Sequence, residues 1–344
     1  MKKESIIVIV VLAIVGFGLA SIFTAPKKDV LPKGNNLFQT FEKYKEITNP
    51  SGFVNVDGPI TIGQYIGKKV VLIDFLTYSC INCQRTFPYI NAWYEKYKDQ
   101  GLEVIGIHTP EFAFEKDINN VRKAMQKFSI EHPIVLDNDY GTWRAYSNSY
   151  WPRKYLIDIH GNIVYDHIGE GGYEETEKEI QKALQERAKV LGEQAVLDAD
   201  LASQNITSTQ TRPASPETYF GSSRNEFLAN GTPGSSGLTN FKLPTEFEIN
   251  KLYLGGEWQI EPEYAESKSD SAVNYQFAAK DVHLVAEADE SASIEVWVDG
   301  KLVKTVNVKE SGLYTIFSDT NLEKRFLELK IKVPGVRLYA FTFG

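Results

Sequence analysis

The sequence predicts an α/β domain built on a mixed central sheet, followed by an all-β sandwich or jelly roll and preceded by a single apolar N-terminal segment. Three observations carry that expectation. Val70, Val71, Leu72, Ile73 and Phe75 form a short, continuous apolar run of the kind buried on both faces of a sheet. Cys80-Ile81-Asn82-Cys83 follows, and then Phe87, Ile90, Trp93, Tyr94 and Tyr97 recur at the three- and four-residue spacing of a helical stripe. Beyond residue 246 the period changes to two, most plainly where Leu327, Leu329, Ile331 and Val333 alternate with Glu328, Lys330 and Lys332.

A chain of 344 residues is long enough for two domains, and 42% hydrophobic with 24% charged residues is a globular balance. The formal net charge of -8 does not support an extended nucleic-acid surface, so no nucleic-acid partner is expected. Only 2 cysteines are present, both in one motif, so the rest of the chain relies on packed cores rather than disulfide staples.

In chain order, Met1-Lys2-Lys3-Glu4 precedes an uncharged, mostly apolar run over residues 5–25. About 20 such residues span a bilayer as one transmembrane helix, and basic residues before them favour an N-inside orientation. A cleaved signal peptide, with Gly18-Leu19-Ala20 as its small-residue site, is the competing reading. The run continues through Ile22 and Phe23, longer than a usual signal core, which favours an uncleaved anchor. Either way the body is expected outside the cytoplasm, as a single-pass cell-membrane protein or, after cleavage, a secreted one. Residues 26–50 read as a tether, residues 51–192 as the α/β domain, residues 193–245 as a linker and packing segment rich in Ser, Thr, Gln and Pro, and residues 246–344 as the β-sandwich.

Within the α/β domain, Asp57-Gly58-Pro59 marks a turn in a lead-in over residues 53–66. Gly101-Leu102 stops the helix that carries the cysteines, and residues 103–108 form a second apolar strand, completing a right-handed βαβ unit. A helix over 116–128, a strand over 132–137, a short helix over 140–146, a hairpin from 150–158 to 163–167 and a closing helix over 174–191 follow. In the second domain, strands are expected over 253–260, 273–277, 282–287, 294–298, 301–303, 313–317, 327–333 and 336–343, with Asp299-Gly300 as a tight hairpin turn. Trp258, Tyr264, Tyr275, Trp297 and Tyr339 read as core more readily than as sugar-stacking platforms.

Both cysteines sit where a buried strand turns into a helix, and the free N–H groups of a helix start favour a thiolate over a thiol. Cys80 is therefore the candidate nucleophile, and Cys83, one turn further in, the resolving thiol. Asp74, six residues before Cys80 on the strand beneath, is placed to accept the Cys83 proton if burial raises its pKa. Two other readings stay open. A zinc site needs four ligands, against 2 cysteines and 5 histidines here, none of the latter close after Cys83. A purely structural disulfide is compatible with an exported chain.

The same residues resemble a known family. Asp74-Phe75, the Cys80-Ile81-Asn82-Cys83 motif, and Pro152 followed by Tyr155-Leu156-Ile157-Asp158 are similar to the thioredoxin-like fold, in particular its TlpA/ResA-type extracytoplasmic branch. Thr77-Tyr78-Ser79 before the motif, His108-Thr109-Pro110-Glu111-Phe112, and Tyr150-Trp151-Pro152 resemble the soluble portion of DipZ-type cytochrome c biogenesis proteins. That resemblance implies a membrane-anchored thiol:disulfide oxidoreductase with a redox-active Cys80-Cys83 pair and no further cofactor. By it Pro152 is the cis-proline facing the dithiol, Trp151 and Tyr78 contact substrate, and Glu111 is a second proton acceptor. It also implies substrate protein thiols or disulfides, apocytochrome c among them, in cytochrome c maturation or extracytoplasmic disulfide reduction, and a β-sandwich similar to carbohydrate-binding modules. DipZ-type chains carry a polytopic electron-passing membrane domain, whereas this sequence has one hydrophobic segment, so electrons would come from a separate CcdA-like membrane donor. The alternative is a cell-surface binding protein, with the sandwich as the working part and the cysteines as a fixed disulfide.

Overall fold

Val70–Leu76, six β-branched, aliphatic or aromatic residues around one aspartate, form the central strand β2, and every one of them is buried. The computed structural model describes residues 42–195, 200–206 and 213–344. The expected membrane segment over residues 5–25 and most of the tether lie outside these. Among the described residues no helix is long and apolar enough to cross a membrane.

The first sheet has six strands in the order β1-β4-β3-β2-β5-β6. These are β1 (Gly52–Val54), β2, β3 (Leu102–His108), β4 (Ile134–Leu136), β5 (Arg153–Ile157) and β6 (Ile163–Ile168). β3 runs parallel to β2 and β4, whereas β5 is antiparallel to β2 and β6, and β1 to β4, so the sheet is mixed. Helix α1 (Ile81–Tyr97) follows β2 and buries Ile81, Cys83, Phe87, Ile90, Trp93 and Tyr97, the apolar stripe of the sequence. A 3-10 turn extends it to Gln100, and Gly101, with φ of 99°, ends it in the left-handed region that favours glycine. Gly106 in β3 is required for a different reason: a Cβ there would fall 2.4 Å from Ile134 Cδ1 and 2.9 Å from Leu76 Cδ2.

Helix α2 (Ile118–Lys127) starts two residues later than the spacing predicts, because residues 113–116 form a separate 3-10 turn and the Asp117 carboxylate caps the helix by accepting from Asn119 N at 2.8 Å. Helices α3 (Gly141–Ala145) and α4 (Tyr173–Leu191) lie where helical spacing puts them. In the β5–β6 turn, Asp158 accepts from the backbone of His160 and Asn162.

The C-terminal region is a second, nine-stranded sheet. Its strands are β7 (Thr218–Tyr219), β8 (Gly237–Phe241), β9 (Leu252–Ile260), β10 (Ala265–Ser267), β11 (Ser271–Ala288), β12 (Ala292–Val298), β13 (Lys301–Val308), β14 (Gly312–Ile331) and β15 (Val336–Phe343). Two pairs of expected short strands are each continuous, giving β11 with 18 residues and β14 with 20. Residues 278–281 and 318–326 contain no Gly or Pro, and the polar stretch between the apolar runs is carried by register shifts at Ala279/Asp281 and Val282/His283 instead of by a turn. β11 thereby pairs with β9 through its first half and with β15 through its second, and the chain winds around one apolar core. Asp299 and Gly300, with φ of 50° and 75°, make the tight turn between β12 and β13. Trp258 and Tyr275 are fully buried and Tyr339 is 3% exposed, while Tyr264 and Trp297 are half-buried.

The two sheets meet at the loop after β3. Phe112 joins Val285, Tyr339 and Ala340 in one cluster, with Phe114 and Leu313 packed against it. Ala113 N donates to the Glu263 carboxylate at 2.8 Å. That contact brings the β-rich region against the segment carrying the cysteines.

Candidate active site

β2 ends at Leu76, and residues 77–80 turn sharply before α1, with Cys80 N donating to Thr77 O at 3.4 Å. Cys80 is the N-cap residue of α1, with extended φ and ψ of -76° and 121°, and is half-buried. Cys83 is 0% exposed, within the cluster of Leu76, Tyr78 and Phe87, on which Cys80 and Trp151 also pack. Burial pushes the Cys83 thiol well up, and hydrogen bonding to the Cys80 sulfur adds to that effect. One sulfur therefore faces solvent from the start of a helix while the other is kept protonated beneath it.

β5 places the next groups. Its register sets Arg153 opposite Phe75 and Lys154 opposite Asp74, which brings Pro152, at the start of the strand, to the end of β2 from which the cysteine loop departs. The Trp151–Pro152 peptide bond is cis, Pro152 is buried, and the Trp151 ring lies 4.3 Å from that of Trp143. Asp74 Oδ1 and Lys154 Nζ are 3.8 Å apart with side chains 1% and 0% exposed, and neither atom has a hydrogen-bond partner. Burial raises the Asp74 carboxyl to about 6 against the opposing pull of Lys154. Burial lowers the Lys154 ammonium, opposed by Asp74 and then Cys83. Asp74, Lys154 and Cys83 thus form one electrostatically coupled group under the motif, and a carboxyl titrating near 6 is suited to take a proton near neutrality.

Lys154 was not singled out by the sequence reading, although a signal existed. It shares the inward, period-two face of β5 with Pro152 and Leu156, a face on which a charged residue needs a partner.

A second carboxylate was also missed. Glu115 is 0% exposed, and its oxygens accept from Ser79 N at 3.2 Å, Ser79 Oγ at 2.6 Å, Glu111 N at 2.6 Å and Phe112 N at 3.0 Å. It ties the residue before Cys80 to the loop after β3. No capping signature marks it in the sequence, because Phe112, three residues before it, has no side-chain acceptor.

Glu111 points elsewhere. Its Oε1 accepts from Arg224 Nη1 at 2.7 Å and Tyr219 OH at 2.9 Å, both in the C-terminal region, and Tyr219 OH lies 2.7 Å from Glu217. Burial and the neighbouring Glu111 charge push the Glu217 carboxyl up to about 7. Tyr78 is 4% exposed, with its ring stacked on His108 and its hydroxyl 3.5 Å from Ser311 O of the β-rich region. The structure thus gathers Cys80, Cys83, Asp74, Trp151, Pro152 and Tyr78 around the start of α1 and directs Glu111 to the junction between the sheets. Among the described residues no group of three or more His, Cys, Asp or Glu side chains could hold a metal ion.

The family model described as Redoxin matches residues 53–184, and the one described as Thioredoxin like C-terminal domain matches residues 215–344. The thiol-disulfide oxidoreductase YkuV of Bacillus subtilis is 31% identical over 141 residues, covering 41% of this chain and 93% of YkuV. This chain belongs to the thioredoxin-like thiol-disulfide oxidoreductases. Among its relatives, Protein DipZ of Mycobacterium tuberculosis is 36% identical over 300 residues, covering 86% of this chain. The chain spans 42% of the length of the DipZ proteins it matches. Thiol-disulfide oxidoreductase ResA of Bacillus cereus is 30% identical over 114 residues, covering 33% of this chain and 63% of ResA.

Proposed function

We propose that this oxidoreductase reduces client disulfides outside the cytoplasm with Cys80 as nucleophile, Cys83 as resolving thiol and Asp74 as proton acceptor. The observation that carries the reading is the asymmetry of the pair, a half-buried sulfur at a helix start over a fully buried one beside Asp74 and Lys154.

The Cys80 thiolate attacks one sulfur of the client disulfide, forming the Cys80–client bond and releasing the other client sulfur as a thiolate. Asp74 takes the proton from Cys83, directly or through water. The Cys83 thiolate then attacks the Cys80 sulfur, which expels the second client thiolate and leaves a Cys80–Cys83 disulfide. Two electrons have passed to the client. Lys154 is a positioning residue, whose charge keeps Asp74 ionised at neutral pH. Pro152 and Trp151 form the wall against which the client sulfur is presented.

The likeness to DipZ and the apolar run over residues 5–25 support a membrane-anchored body facing outward, with a CcdA-like donor returning the electrons. Apocytochrome c, in cytochrome c maturation, is the client class that fits these two features. The β-rich region is read as a sandwich or jelly roll that frames the site, and its most buried aromatics as core.

Insulin reduction with dithiothreitol as electron source tests the chemistry. Wild type accelerates the reaction, whereas Cys80→Ser and Cys83→Ser do not. Acceleration independent of either cysteine overturns the reading. Membrane fractionation with protease accessibility tests the topology, which fails if the body is cytoplasmic.

A further inference from the structure

A cleft of about 430 Å³ opens beside the dithiol between the two sheets. One wall comes from both ends of the cysteine motif, Tyr78 two residues before Cys80 and Gln84 one residue after Cys83, and Gln84 Nε2 donates to Tyr78 O at 2.8 Å across it. The opposite wall is the β13–β14 connection of the C-terminal region, with Leu313 and Tyr314 supplying apolar surface. A cavity of this size accepts one or two large side chains of an extended polypeptide, and its apolar and aromatic lining would bury them.

The charges on the rim are one-sided. Lys123, Lys127 and Lys309 line the cleft with Glu310 as the one carboxylate, and Glu310 is paired with Lys123 at 2.9 Å. Lys127 and Lys309 are exposed, and no carboxylate lies within ion-pair distance of either among the described residues. Three lysines against one carboxylate make the lining locally cationic on a chain of formal net charge -8, and such a field draws anionic segments.

We propose that this cleft is a specificity site, where the client segment flanking the target disulfide docks, and that it selects segments with a large apolar side chain beside acidic residues. The proposal rests on the dithiol reading above and adds to it. The C-terminal region is then half of the client-binding surface, and its docking on Phe112 and Phe114 holds the Lys309 wall in place.

The test uses the full chain and two synthetic peptides, each with one intramolecular disulfide, flanked by Glu-Phe-Glu in one and Lys-Phe-Lys in the other. The readout is the ratio of kcat/KM for the two peptides within each protein, so a change in the chemistry of the sulfurs cancels. Wild type should prefer the acidic peptide by about tenfold at low salt, with the preference falling toward one in 1 M NaCl. The double variant Lys127→Glu/Lys309→Glu should invert the ratio. A wild-type ratio near one, or a ratio unmoved by the charge reversal, overturns the cleft as a docking site. So does reduction of a small aromatic disulfide with neither peptide reduced. Failure to reduce even the small disulfide through Cys80 removes the dithiol reading itself and the cleft's role with it.

Discussion

Replacing Lys154 with methionine isolates the buried pair. At 3.8 Å and an effective dielectric of about 20, the attraction between the Lys154 ammonium and the Asp74 carboxylate is worth about 4 kcal/mol, or about 3 pH units of Asp74 titration. Removing the cation withdraws the one influence that holds the Asp74 carboxyl down, so its titration moves upward from about 6 toward about 9. At pH 7 the ionised fraction then falls from about nine-tenths to about one-hundredth, and resolution of the mixed disulfide slows by about a hundredfold. Stopped-flow measurement of the second thiolate released from a peptide disulfide, between pH 5 and 10, reads the effect directly. Infrared difference spectra of the carboxyl C=O report Asp74 independently. If the wild-type and Lys154→Met profiles share one inflection near 6, or the rates at pH 7 differ by less than threefold, Asp74 does not take the Cys83 proton under the control of Lys154.

Further outcomes follow from the same geometry. The folded-state value of about 6 for Asp74 lies above the ordinary 3.9, so the folded protein binds that proton more tightly than the unfolded chain does. This contribution is present below the unfolded value and lost as pH rises through 6, and between about pH 3 and 7 wild type should lose about 3 kcal/mol more than Asp74→Asn does in urea unfolding. Glu115→Ala strands the donors of Ser79, Glu111 and Phe112 and should cost about 3 kcal/mol or more, with Glu115→Gln recovering part of it in the same assay. Trp258→Ala empties a fully buried site in the C-terminal core and should destabilise by about 3 to 5 kcal/mol, read as a drop in Tm; a neutral result would contradict its role as core.

What could be read from the sequence was local. The run from Val70 through the CxxC to the stripe ending at Tyr97 encodes a buried strand, a turn and an amphipathic helix, each decided by residues close in sequence. Asp299-Gly300 encodes its turn for the same reason, since both residues tolerate positive φ. The hidden part depends on distant partners. Lys154 matters because β5 lies beside β2, a strand order that no local pattern specifies. Glu115 reaches Ser79 across 36 residues, and Glu111 is drawn to Arg224, 113 residues away. β11 and β14 each look like two short strands in the sequence because their polar stretches resemble turns, while the shared register that carries the chain through them emerges only in the sheet.

The most direct measurement is which sulfur forms the mixed disulfide. Reduced full-length Cys83→Ser, given a single-disulfide client peptide, should accumulate a stable adduct mapped by mass spectrometry to Cys80, while Cys80→Ser should accumulate none and wild type should release both client thiols. An adduct on Cys83 in Cys80→Ser that forms as fast as the one on Cys80 would contradict a half-buried attacking sulfur above a buried resolving one.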